Sequence, residues 1–178
     1  MIAGMALITG CENDLKDLQK ISAKEVNKPI ERYTDVDVIY SDSARVKAHM
    51  TSPLMLNYKV AKPYTEMPKG VKVIFYDKDL VETCTIVADY GIRREAEKTI
   101  ELRKNVVGTN AKGETFSSDE LIWDQGSRQI HSNKLVHVKM ADGSITDGTS
   151  FTSDESFNHW ILNQAKGDIH VNNEDFSH

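Results

Sequence analysis

The sequence predicts an all-β protein, an antiparallel sandwich or roll that follows a short charged tether. Apolar and polar residues alternate with the two-residue period of a half-buried strand, turn-forming residues recur about every 8–15 residues, and no convincing helical pattern follows Pro29. Short strands at such spacing are typical of antiparallel sandwiches and rolls.

The composition limits the functional class. A length of 178 residues is enough for one domain with a real core. Hydrophobic residues make up 39% and charged residues 28%, which excludes a polytopic membrane protein and does not indicate disorder. The formal net charge of −5 gives no basic footprint, so we expect no nucleic-acid partner.

The N-terminus carries a short apolar run that ends in Ile8-Thr9-Gly10-Cys11, and the first charge is Glu12. About ten apolar residues are too few to cross a hydrocarbon core of roughly 30 Å, but they suffice for the apolar region of a secretory signal. The run resembles a bacterial lipoprotein signal, in which a small residue precedes the cysteine. That resemblance implies removal of residues 1–10, diacylation of the Cys11 thiol and acylation of the new N-terminus.

The lipoprotein pattern has one departure, because no Lys or Arg precedes the apolar run. We therefore expect a start upstream of Met1 or an unusually short signal. The alternative is an apolar N-terminal strand with a buried free cysteine. The polar residues 12–17 would not continue such a strand well. The charged segment that follows, up to Pro29, has too few regularly spaced apolar residues to form a helix that packs against the domain.

From Asp35 onwards the chain consists of alternating runs separated by turn signals such as Ala141-Asp142-Gly143. Residues 62–70 are predicted to form a loop bounded by Pro63 and Pro68, and residues 91–98 are either a charged hairpin, which we prefer, or one helical turn. The predicted strands are 35–40, 44–50, 54–60, 71–76, 83–90, 99–107, 114–123, 129–140, 144–151, 157–162 and 168–171.

An internal repeat lies in the second half of the chain. Residues 113–120 (GETFSSDE) recur as residues 148–155 (GTSFTSDE), and each copy is followed later by an Ile-His pair, at Ile130-His131 and Ile169-His170. The two copies are offset by 35 residues, from 113 to 148. Repeats with a period of this length predict β-hairpins that stack along one axis.

A longer order of motifs resembles a known family. The order begins with Tyr90 and the strand 99–107, which contains the pair Asn105-Val106. It continues with the segment 116–124, which ends in Trp123-Asp124, and then with Ile130-His131-Ser132-Asn133 and Val136. In this order the chain resembles the β-jellyroll of the LptC family of lipopolysaccharide-export proteins. The resemblance covers roughly residues 33–172. It implies an open, folded-over antiparallel sheet, and it divides the chain into a signal (1–10), a lipidated cysteine with a tether (11–32), the β-jellyroll (33–172) and a tail (173–178).

The same resemblance implies a function. Such a protein would accept lipopolysaccharide from the ABC exporter that extracts it from the inner membrane. It would then pass the lipid to a periplasmic bridge protein through pairing of edge strands. It would work on the periplasmic face of the cell envelope, at the inner membrane. A lipidated cysteine in place of a transmembrane anchor helix is a departure from the best-known members.

The physical requirement for such a carrier is a continuous apolar trough, since each exposed methylene of an acyl chain costs about 0.8 kcal/mol. A folded-over sheet supplies a trough when its apolar face is concave. The alternative is an ordinary filled core, and with it a structural or adhesive cell-envelope β-sandwich lipoprotein. The expected trough-lining residues are Val38, Tyr40, Val46, Ala48, Leu54, Leu56, Tyr58, Val73, Phe75, Ile86, Ala88, Tyr90, Ile100, Leu102, Phe116, Leu121, Trp123 and Ile130.

Catalytic and metal chemistry find little support, so we expect no enzyme, metal or cofactor. The six histidines lack metal-ligand spacing, and the pairs Asp119-Glu120 and Asp154-Glu155 are expected to be solubilising turns. Cys84 lies in a strand pattern and is expected to be a small buried hydrophobe. The basic pairs Arg93-Arg94 and Arg103-Lys104 are either solvated edge charges, which we favour, or contacts for lipid phosphates at the mouth of the trough.

Overall fold

The computed structural model of the protein describes residues 31–168, and within that range the chain forms strands and no helix. The all-β prediction is confirmed. The strands are β1 (Glu31–Asp42), β2 (Arg45–Tyr58), β3 (Tyr64–Met67), β4 (Val71–Tyr76), β5 (Glu82–Ala88), β6 (Tyr90–Arg94), β7 (Thr99–Asn110), β8 (Thr115–Asp124), β9 (Gln129–Ser132), β10 (Val136–Lys139), β11 (Ile145–Gly148), β12 (Ser150–Asp154), β13 (Trp160–Asn163) and β14 (Lys166–Asp168).

These strands belong to one antiparallel sheet that is folded over on itself, because its long strands change partners halfway. The first half of β7 pairs with β6 and the second half with β5, while β8 pairs first with β10 and then with β9. Likewise, β2 pairs with β4 and then with β3. Two wings result. Wing A contains β3, β6, β9, β12 and β13, wing B contains β4, β5, β10, β11 and β14, and β1, β2, β7 and β8 run through both. The expected folded-over β-jellyroll is confirmed.

The line along which the sheet folds is marked by local interruptions of the strands. In β7 the register shifts between Arg103 and Val106, and both intervening residues have a positive φ. The Asn105 side chain donates a hydrogen bond to the Asp89 carboxylate at 2.6 Å, which ties β7 to the neighbouring crossing between β5 and β6. In β2 the crossing is at Pro53, where the missing N–H costs nothing because the ladder is already broken.

The fold line also explains where the predicted elements differ from the observed ones. The predicted strands 83–90, 129–140 and 144–151 are each a single passage across the fold line, and each is broken there into two strands. Conversely, 44–50 and 54–60 are the two halves of β2, and the predicted loop 62–70 contains β3. The segment 91–98 forms the β6–β7 hairpin, as preferred.

The space between the wings is filled mainly by apolar side chains from both of them. Rings meet across the gap: Phe75 of wing B lies edge-on to Trp123 of wing A, with 4.8 Å between the ring centroids. The rims of the wings, opposite the fold line, are the hairpin turns. We call the line along which these two rims meet the seam.

Candidate functional site

The interior contains most of the residues that the sequence predicts to line a trough. Ten of them, and Ala48, belong to the buried interior cluster, while Val38 and Tyr40 are half-buried and pack against it. The ten are Val73, Phe75, Ile86, Ala88, Ile100, Leu102, Phe116, Leu121, Trp123 and Ile130.

Five expected trough residues lie elsewhere. Met55 packs against the interior, so its neighbours Leu54 and Leu56 lie on the outer face of wing A, as does Tyr58. Tyr90 is also on the outer face, because Gly91 beside it faces the interior residues Met67 and Val71. Val46 is half-buried near the β1–β2 turn and does not join the interior cluster.

The cause of this difference is the fold line. Before Pro53 the inward-facing residues are even-numbered, as Ala48 and Met50 are, and after it they are odd-numbered, as Met55 is. The same change from even to odd positions occurs between Ala88 and Gly91 at the β5–β6 crossing. Period-two alternation read straight through a crossing therefore assigns the wrong face.

The misassigned tyrosines form a separate polar cluster on the outer face of wing A. The Tyr58 ring stacks on Tyr64 with 4.5 Å between centroids, and the hydroxyls of Tyr58 and Tyr90 both donate to the Glu66 carboxylate. Burial and this hydrogen bond raise the pKa of Tyr90 to about 12. The cluster joins β2, β3 and β6 from outside and does not face the interior.

One part of the seam is packed shut, and we call it the closed stretch. Phe157, from the turn between β12 and β13, lies with its ring centroid 4.8 Å from that of Phe116 and 5.7 Å from that of Phe151. The Asn110 side chain donates to the Phe157 carbonyl at 3.1 Å and to the Glu114 carboxylate at 2.7 Å, so the two rims are joined there.

The closed stretch depends on residues that sequence reasoning did not single out. Gly108 lies under the Phe157 ring, where a Cβ would be only 3.1 Å from a ring carbon. The repeat offered a signal for Phe151, which occupies the position equivalent to Phe116. Phe157 was predicted to begin a strand, but it belongs to the turn before β13.

Another part of the seam is open, and we call it the open stretch. It is a groove of about 360 Å³, within the range of roughly 300–1,000 Å³ typical of ligand sites. Tyr40 lies edge-on to Trp123 at 5.3 Å between centroids, and the Trp123 indole N–H donates to Glu155 at 2.9 Å. The groove is lined by Val38, Ile39, Tyr40, Ser41, Ala48, Met50, Arg93, Ile100, Trp123 and Gln125.

The other candidate groups take structural positions. Asp119 and Glu120 lie within β8 and not in a turn, whereas Asp154 ends β12 and accepts a hydrogen bond from His159 at 2.9 Å. Cys84 is a buried free thiol, and burial raises its pKa to about 12.

No group of three or more His, Cys, Asp or Glu side chains that could hold a metal ion occurs within residues 31–168. The predicted lipidation site Cys11 and the second Ile-His pair of the repeat lie outside the residues that the structure describes.

The sheet has free edges on both sides. Within residues 31–168, β1 pairs only with β2, β13 only with β12, and β14 only with β11. Apolar side chains stand in the solvent on these edge strands, with Ile39 of β1 63% exposed and Ile161 of β13 66% exposed. Unpaired backbone groups on an edge strand can pair with a strand of another chain.

Comparison with known proteins supplies the family. The model of the family described as lipopolysaccharide-assembly, LptC-related matches residues 12–158, which is most of the chain. No curated protein matches it. No helix in the described part is long and apolar enough to cross a membrane. LptC-family proteins are periplasmic, associated with the inner membrane and involved in lipopolysaccharide transport. With a folded-over sheet, an open groove between its wings and this match, the chain belongs to the LptC family.

Proposed function

We propose that the protein is a carrier that holds acyl chains of lipopolysaccharide between its wings and passes the lipid onward without chemical change. The observation that carries this proposal is the open stretch of the seam. It is a groove between two apolar sheet faces, and its lining includes the half-buried Tyr40 beside the interior residue Trp123. Burial of acyl methylenes there recovers about 0.8 kcal/mol each.

Transfer requires a donor and an acceptor, and the two sides of the sheet offer one docking position each. We propose that the inner-membrane ABC exporter and the periplasmic bridge protein each add a strand to one free edge, so that the troughs become continuous. Strand addition satisfies the free backbone groups of the edge, and exposed side chains such as Ile39 and Ile161 supply apolar contacts. Cross-linking from cysteines placed at Ile39 and at Ile161 should capture different partners.

The attachment to the membrane is proposed to be lipid on Cys11, with the residues between Cys11 and the start of β1 at Glu31 as the tether. The support is the match of Ile8-Thr9-Gly10-Cys11 to a lipoprotein signal. Metabolic labelling with a radioactive fatty acid should mark the wild-type chain and not a Cys11→Ser variant. Equal labelling of the two would contradict the anchor, while leaving the carrier proposal intact.

The carrier proposal is tested by site-specific photo-crosslinking to lipopolysaccharide in cells. A photoreactive residue in place of Tyr40 or Trp123 should become linked to the lipid. The same residue in place of Leu56 should not, because Leu56 lies on the outer face of wing A. Lys59, whose side chain is 61% exposed and is not part of the groove lining, provides a second control.

The pattern of labelling decides between functions. Labelling confined to Leu56 and Lys59 would contradict transport between the wings. Absence of labelling at every position, with purified protein that binds no amphiphile, would favour a structural or adhesive cell-envelope lipoprotein.

A further inference from the structure

One cation points into the open stretch. Arg93 pairs across the β6–β7 ladder with Ile100, which is buried in the interior, and it shares its face with Gly91, which contacts Met67. Directly paired residues of an antiparallel ladder project to the same side of the sheet. Arg93 therefore lies on the inner face of wing A, half-buried, whereas its neighbour Arg94 lies on the outer face.

The other basic residues within β6 and β7 already have partners. Arg94 donates to Glu101 at 2.8 Å, and Arg103 donates to Glu101 and to Glu120. The Lys104 ammonium lies 5.9 Å from the centroid of the Tyr90 ring. Arg93 has no hydrogen-bond or ion-pair partner among the described side chains, although the residue is half-buried.

The surroundings of Arg93 fit an anion attached to an apolar chain. The polar side chains in the groove are Arg93, Gln125, Ser41 and the Tyr40 hydroxyl, and the rest of the lining is apolar. A half-buried charge is stabilised by an opposite charge, and the planar guanidinium matches the paired oxygens of a phosphate. The backbone N–H of Gln125 donates to the Lys98 carbonyl at 3.0 Å, which holds the β8–β9 turn beside the β6–β7 hairpin.

We propose that Arg93 binds a phosphate monoester on the headgroup of the amphiphile whose acyl chain occupies the open stretch, with the Gln125 amide as a second donor. The inference rests on the proposed carrier function and deepens it. Arg93 would hold the phosphate at the seam while the chain lies between Tyr40 and Trp123. Charge at the groove, in addition to apolar area, would then select the ligand.

The test measures binding of three probes to the full-length chain with Cys11→Ser, purified without lipid. The probes are dodecyl phosphate, uncharged dodecanol and inorganic phosphate, each amphiphile below its micelle concentration, and binding is followed by equilibrium dialysis. Arg93→Gln should weaken dodecyl phosphate binding roughly tenfold or more, as expected for loss of a charge-assisted hydrogen bond, and leave dodecanol binding unchanged.

Two matched variants sharpen the assignment. Arg94→Gln removes an adjacent charge on the outer face and should leave binding of every probe unchanged. Arg93→Lys should restore only part of the affinity, because an ammonium does not pair with two phosphate oxygens in one plane. Equal melting temperatures and circular dichroism spectra for the variants ensure that binding differences do not come from unfolding.

Each remaining outcome has a definite meaning. Equal loss of dodecyl phosphate and dodecanol in Arg93→Gln, or no loss of either, would overturn the phosphate site and leave the carrier standing. Failure of the wild type to bind either amphiphile would overturn the carrier function, and the inference with it. The last outcome is that inorganic phosphate binds as tightly as dodecyl phosphate and loses that binding in Arg93→Gln. That result would overturn the proposal that the anion belongs to a lipid headgroup.

Discussion

The closed and the open stretch of the seam differ in how far side chains fill the gap between the two wings. At the closed stretch, Phe157 folds in from a turn and fills the gap against Phe116, and Asn110 fastens the two rims by hydrogen bonds. At the open stretch, Tyr40 stands edge-on to Trp123 and leaves a groove of about 360 Å³.

The contrast teaches how one sheet can be both stable and accessible. We infer that full packing of one stretch supplies stability that allows another stretch to stay open. Removal of groups first from the closed stretch and then from the region around the open one tests this division.

The largest effect is expected from Phe157→Ala in the closed stretch. Phe157 is fully buried, and loss of its ring removes its contacts with Phe116 and Phe151, so the free energy of unfolding should fall by about 3–5 kcal/mol. Tyr40→Ala at the open stretch should cost only about 1 kcal/mol, because Tyr40 is half-buried. Urea denaturation with an unchanged m-value measures both. Equal costs would show that the two stretches do not differ in their contribution to stability.

A smaller effect is expected from overpacking at Gly108. An added methyl group would lie 3.1 Å from a ring carbon of Phe157, so Gly108→Ala should lower the free energy of unfolding by about 1–3 kcal/mol. In a Phe157→Leu background the same substitution should cost less, because the branched side chain can leave room. A double-mutant cycle gives the coupling free energy between positions 108 and 157. A coupling free energy of zero would mean that the added methyl group does not contact the Phe157 ring.

The buried thiol of Cys84 offers a pH test of the closed stretch, since Cys84 pairs across the ladder with Asn110. Burial raises the pKa of Cys84 to about 12, above its value in the unfolded chain. Its contribution to stability is therefore present below about pH 8.5 and is lost as the pH rises towards 12. The urea midpoint of a Cys11→Ser chain should fall between about pH 8 and 10.5.

Two controls complete the Cys84 test. Cys84→Ala should flatten part of this pH dependence, and the remainder includes Tyr90, whose pKa is also raised to about 12. At about pH 8 the folded thiol should resist a maleimide reagent, with or without dodecyl phosphate. Faster labelling when amphiphile binds would mean that the closed stretch opens for the ligand, contrary to the division proposed here.

The sequence alone predicts much of this architecture, because alternation and turn residues are local signals. The strand at Val71–Tyr76, the β6–β7 hairpin and the inward position of Trp123 all follow from them. The resemblance to the LptC family adds the folded-over sheet. Each of these predictions depends on neighbours in sequence or on a motif order, and neither requires knowledge of where the sheet bends.

The positions that the sequence misassigns depend on the bend. Leu56 and Tyr90 follow the alternation of their own segments, but a crossing of the fold line separates them from the interior residues with which they were grouped. Phe157 seals the seam from a turn, which no strand pattern identifies. The orientation of Arg93 depends on the register between β6 and β7, which places Arg93 opposite the buried Ile100. No local pattern in the sequence specifies that register.

The smallest effect is expected from the ion pair between Arg128 and Asp42, which joins the β8–β9 turn of wing A to the end of β1 in wing B. Both groups are in contact with water, Arg128 with 58% of its side chain exposed, so solvent and salt screen their attraction. Arg128→Ala should therefore leave the urea midpoint almost unchanged. The charge exchange Asp42→Arg with Arg128→Asp should behave like the wild type. A large loss in Arg128→Ala that the exchange restores would mean that charge, and not the aromatic packing around Phe157, holds the two rims together.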